Sequence, residues 1–89
     1  MKLSKEKKEK ISEQILFYLY QVFPKQPFTS EIAKEIARDE EFIKKLLFEL
    51  KLKKLVIPIR KNSKGVEFSR RIKWRLTEEV YKIFRSKQD

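Results

Sequence analysis

Cysteine and histidine are both absent from this 89-residue chain, and glycine occurs once. Without them there are no disulfides, no zinc site of the usual ligands, no thiol nucleophile and no imidazole base. One glycine cannot build a GxGxxG or Walker-type loop, whose several glycines let the backbone close on phosphates. The thirteen carboxylates fall into no arrangement with a base, a nucleophile or a glycine loop. No catalytic residue, metal or cofactor is therefore expected. Long apolar runs are missing too. The longest, ILFYLYQVF (15–23), is too short to span a bilayer. The lysine-rich start before it has some of the look of a signal peptide. Glu6 and Glu9 interrupt that start, however, and QVFPKQPF lacks a small-residue cleavage site. The expectation is a cytoplasmic protein with no membrane partner and no evident small-molecule ligand.

What the chain does have is charge. Lys and Arg number 23 against 13 acids, a net +10, while 40% of residues are hydrophobic. That balance supports a globular chain with a thin core, one domain over residues 1–89. Abundant Lys, Glu and Ile with one Asn lean toward a thermophile. A surplus of +10 points to a polyanionic partner, most often nucleic acid. Within residues 59–76, seven bases stand against the single acid Glu67, so this stretch carries six of the ten net charges. It also holds Gly65, the only glycine.

Helical spacing predicts a first helix capped by Ser4 and stopped by Pro24, with Ile11, Ile15, Tyr18, Leu19 and Val22 on its core face. PKQPF reads as a turn and a very short extended piece. Thr29 is expected to cap a second helix, SEIAKEIA, with Ile32, Ala33, Ile36 and Ala37 inward. Asp39 is expected to cap a third, residues 40–54, whose Glu40 and Glu41 suit the positive end of the helix dipole. LVIPIR is an edge strand because Pro58 cannot donate to a ladder. IKWRLT alternates, with Ile72, Trp74 and Leu76 one way and Lys73 and Arg75 the other. A turn at NSKG would set Arg60 opposite Glu67. Thr77 caps a last helix, EEVYKIFRSK.

This order resembles the winged helix-turn-helix family. Ala33, Ala37, Ile43 and Leu46 fill the places of its helix-turn-helix pattern. Ile43, Leu47, Leu50, Lys54, Leu55 and Val56 match its entry into the wing, with Lys54 where glycine is usual. WRLTEEV is similar to its exit from the wing. The resemblance covers nearly the whole chain. It implies an α+β winged helix-turn-helix: a three-helix core, a β-hairpin wing and a C-terminal helix. The implied divisions are a basic arm at 1–10, the helix-turn-helix at 29–54, the wing at 55–76 and the last helix at 77–88.

The resemblance also implies double-stranded DNA as partner, and a small transcriptional regulator of archaeal or viral type. The third helix would lie in the major groove and present Glu40, Glu41, Lys44, Lys45 and Phe48. Phe48 also makes an apolar pair with Leu52 that could instead pack on the hairpin or a partner. The wing would bring Lys61, Lys64, Arg70, Arg71 and Lys73 to phosphates or a minor groove. Thr29 and Ser30 are phosphate-contact candidates through their backbone N–H groups. Phe17, Tyr20, Tyr81 and Phe84 are the expected homodimer interface on the first and last helices. Residues 29–42 carry five acids against two bases. That local surplus, with the many aromatics, favours the alternative of a protein–protein module in a larger assembly. A role on RNA or in replication or transcription machinery would use the same basic surface.

Overall fold

A computed structural model describes residues 4–60 and 71–88. The chain runs α1 (Lys5–Val22), α2 (Thr29–Ile36), α3 (Glu40–Leu52), β1 (Val56–Ile59), β2 (Lys73–Leu76), α4 (Glu78–Gln88). Among the described residues this is the expected α+β order. Gly65 and the hairpin tip lie outside them.

Local chemistry sets the helix starts. The Ser4 hydroxyl accepts from the Lys7 N–H (3.3 Å) and the Asp39 carboxylate from the Phe42 N–H (3.1 Å). Each satisfies an amide that the first helical turn leaves without a partner. Thr77 Oγ1 does the same for the Val80 N–H (3.4 Å). α2 differs from expectation. Its cap is Phe28, whose N–H is held by the Glu31 carboxylate (3.0 Å). Thr29 is the first residue inside the helix, and its side chain turns into the core.

Both helices of the α2–α3 pair end in a residue with left-handed backbone, Ala37 (φ 62°) and Lys54 (φ 62°). Around Ala37, its N–H donates to Lys34 O and the Arg38 N–H to Ala33 O. Around Lys54, its N–H donates to Lys51 O and the Leu55 N–H to Leu50 O. These paired bonds are the Schellman closure, which satisfies orphan carbonyls at a helix end. Lys54 thus adopts the conformation its place in the sequence demands. Ala37 is a correction: it was expected to face inward, but it is exposed and forms the turn.

The two strands pair antiparallel, Val56 with Leu76 and Pro58 with Trp74. Glu67, and with it the expected Arg60–Glu67 pairing, lies outside the described residues, which hold the register from Val56 opposite Leu76 to Ile59 opposite Lys73. Burial decides it, since Val56, Trp74 and Leu76 all reach the core in this register. On its other side β2 meets the α1–α2 connection through a bridge between Phe28 and Lys73. The Trp74 N–H also donates to Pro27 O (2.9 Å). β2 is therefore central, and β1, with its proline, has the expected edge.

The core is a single cluster: Ile11, Ile15 and Leu19 from α1, Ile32 and Ala33 from α2, four residues of α3, and Val56, Trp74, Leu76 and Val80. Thr77 closes it at one end. Its N–H donates to Leu55 O (3.1 Å) and its hydroxyl to Lys54 O (3.2 Å), which ties the end of α3 to the start of α4.

A non-glycine residue in the left-handed region is strained, so Lys54→Gly and Ala37→Gly should each raise unfolding free energy by about 0.5–1 kcal/mol. Chemical denaturation would measure this. Unchanged or lower midpoints would mean that neither position carries strain.

Candidate nucleic-acid interface

α3 buries Ile43, Leu46, Leu47 and Leu50. Its opposite face presents Glu40, Glu41, Lys44 and Lys45, all exposed, and the half-buried Phe48. Phe48 is held edge-on against Trp74, with ring centroids 5.3 Å apart. The cations of Lys51 and Arg60 each lie 5.8 Å from its ring. Phe48 is thus a strut between α3 and the hairpin, the packing alternative its sequence position left open.

At the base of the hairpin, Arg71 is exposed and its guanidinium carbon lies 4.2 Å over the ring of Phe28. The Lys73 ammonium is 5.3 Å from the same ring. Arg75 turns back, donating to Leu76 O (3.3 Å). Lys61, Lys64 and Arg70 fall outside the described residues.

Of the two phosphate candidates, Thr29 is not available. It is 6% exposed, and its N–H donates to Ile72 O (3.1 Å). Its hydroxyl accepts the indole N–H of Trp74 (2.8 Å) and reaches Ile72 O (3.4 Å). Ser30 is half-buried. It lines a polar notch of about 320 Å³ with Phe28, Glu40, Glu41, Lys44 and Arg71. The notch joins the start of α2, the start of α3 and the approach to β2, so three separate cation-bearing or amide-bearing elements converge there. Two carboxylates share it.

Comparison with solved structures identifies the architecture. Staphylococcus aureus MepR bound to DNA superposes with a TM-score of 0.73 at 24% identity, covering 93% of this chain and 65% of that one. The fold is a winged helix. MepR in a DNA-binding conformation gives 0.69 at 25% identity, over 85% of this chain and 53% of MepR. ZitR of Lactococcus lactis, a zinc-responsive MarR family member, gives 0.67 at 19% identity, over 99% and 53%. The chain therefore spans about half to two thirds of the length of these proteins. No protein-family model and no curated protein matches the sequence.

In this winged helix α2 and α3 are the helix-turn-helix, and β1 and β2 the base of the wing. Three of the four residues expected at a dimer interface pack within the chain. Tyr20 stacks on Phe84 (5.6 Å) and meets Tyr81 (5.5 Å), which stacks on Phe23 (4.0 Å). Phe17 and, beside this cluster on α4, Ile83 stay outside at 45% and 54% exposure. Tyr18 is held above its ordinary pKa of 10.0, first by partial burial and then by Glu35 and Glu31. It is neutral near pH 7 either way and adds no charge. Among the described residues no group of His, Cys, Asp or Glu could hold a metal, and no helix is long and apolar enough to cross a membrane.

Two features were not foreseen from the sequence, the Phe28 ring beneath two cations and the outward position of Leu52, which is 82% exposed although its spacing pairs it with Phe48. The first joins residues more than forty apart, and only the short extended piece at residue 28 hinted at the contact.

Thr29→Val should cost about 1–3 kcal/mol, because it leaves the indole N–H of fully buried Trp74 unpaired. Thr29→Ser, which keeps the acceptor, should retain most of that stability. Equal melting of the valine variant and wild type would contradict this role.

Proposed function

We propose that this winged helix binds double-stranded DNA and acts in transcriptional regulation. The observation that carries the reading is the convergence of Ser30, Lys44 and Arg71 on one notch between the helix-turn-helix and the wing base. The likeness to MepR in its DNA complex supports it. In this reading α3 enters the major groove, where Lys44 and Lys45 reach guanine edges or phosphates. Arg71 and Lys73, with Lys61, Lys64 and Arg70 of the sequence between the strands, neutralise backbone phosphates or enter a minor groove. Ser30 offers a backbone N–H at the positive end of α2. Glu40 and Glu41 repel phosphate unless one accepts from cytosine N4, and their main work is at the start of α3.

A second reading has one observation in its favour. Leu52 stands in solvent beside Phe48 on a shallow groove of about 430 Å³ bordered by Glu41, Lys45 and Glu49. A protein partner could cover that apolar spot, and it would compete with DNA for the same face of α3.

We further propose a homodimer through α1 and α4, with Phe17 and Ile83 as the exposed apolar contacts and Tyr20, Tyr81 and Phe84 stacked behind them. A two-fold axis there would present two third helices about 34 Å apart, one turn of DNA.

With four to six phosphates neutralised, duplex affinity should fall roughly 10²- to 10³-fold between about 50 and about 200 mM salt. A flat salt dependence, or no binding, sinks the DNA reading. Alanine at Arg71 or Lys73 should weaken all sequences alike and shallow the salt slope by about 1, whereas alanine at Lys44 or Lys45 should reorder sequence preference. Sedimentation tests the dimer. The wild type should sediment as two chains and a Phe17→Glu, Ile83→Glu variant as one; a wild-type monomer at high concentration refutes the interface.

A further inference from the structure

Phe28 is an unusual residue to stand at the cap of α2, because its side chain cannot accept from the helix amides. Its backbone is nevertheless tightly held. Its N–H donates to Glu31 (3.0 Å), its carbonyl accepts from the Ile32 N–H (3.0 Å), and it bridges to Lys73 in β2. The ring is thereby fixed at the junction of the helix-turn-helix and the wing.

Two cations of the wing base lie over that ring, Arg71 at 4.2 Å and Lys73 at 5.3 Å. Arg71 shares the notch with Glu40 and Glu41, yet among the described residues it forms no ion pair with either. It stacks instead. A guanidinium on an aromatic face uses its π surface for the stack and keeps its N–H donors in plane at the rim, open to a planar or tetrahedral anion. A guanidinium paired to a carboxylate would have those donors occupied.

We propose that Phe28 is a positioning residue for nucleic acid: its ring holds Arg71 with its donors presented to a backbone phosphate of duplex DNA beside Lys44 and Ser30. The inference rests on the DNA-binding reading above. Physically, the stack removes rotamer freedom from a long side chain before binding, so less is lost when phosphate arrives.

The test is a double-mutant cycle read by fluorescence anisotropy on a mixed-sequence duplex about two helical turns long. Phe28→Leu keeps an apolar side chain but has no aromatic face, and should weaken binding about two- to fivefold, the span of an exposed cation–π contact. Phe28→Tyr keeps the face and should bind as wild type does. In an Arg71→Ala background, Phe28→Leu should have little further effect. Thermal melts of each variant separate folding loss from binding loss.

Wild-type affinity in Phe28→Leu overturns the inference and leaves the DNA reading standing. An undiminished Phe28→Leu effect without Arg71 overturns it too, as does equal weakening by Phe28→Tyr. A wild-type chain that binds no duplex overturns the DNA reading and this inference with it.

Discussion

The indole N–H of Trp74 is buried with the Thr29 hydroxyl as its partner, 2.8 Å away. A buried donor left unpaired carries its full desolvation penalty, so this bond is enforced by the burial of the ring itself. Two backbone hydrogen bonds run parallel to it, Thr29 N–H to Ile72 O and Trp74 N–H to Pro27 O, and they make the bridge between Phe28 and Lys73. Together they clamp β2 to the first turn of α2. β2 pairs in turn with β1, which follows α3 after a three-residue turn, and Phe48 braces α3 against Trp74. The helix-turn-helix and the wing base are thus one body.

That clamp accounts for the candidate interface. It brings Arg71 and Lys73 over Phe28 and places the polar notch where α2, α3 and the wing meet. The acids at the start of α3 answer to the helix dipole. Among the described residues Arg71 pairs with neither carboxylate of that notch, which leaves its charge to meet a phosphate backbone. The charge surplus of residues 59–76 is therefore anchored at its base by a core tryptophan and a threonine.

Much of this was legible in advance, for identifiable reasons. Apolar spacing of 3.6 and of 2 placed the helices and the strand pair, since burial imposes those periods directly. Ser4, Asp39 and Thr77 signalled helix starts because capping is local chemistry. Lys54 stood where a left-handed residue was needed and adopts that conformation. Thr29 misled for a long-range reason. A threonine before a helix looks like a cap, but the tryptophan that claims its hydroxyl is 45 residues further on. Ala37 misled because the Schellman bonds at the end of α2 hold an alanine in a conformation that its own preferences oppose. The expected Arg60–Glu67 pairing across Gly65 lies outside the described residues, and within them joint burial of Val56 and Leu76 sets the register. The Phe28 platform depends on contacts across more than forty residues, and no local pattern encodes it.

The central claim is that the start of α2, the outward face of α3 and the wing base form one duplex-binding surface. Amide chemical-shift mapping during titration with duplex DNA tests it most directly. The account predicts perturbations concentrated at Ser30, Lys44, Lys45, Arg71 and Lys73, with little change along the exposed side of α1 and α4. Perturbations centred on Phe17 and Ile83, or none at the notch at saturating duplex, would contradict it.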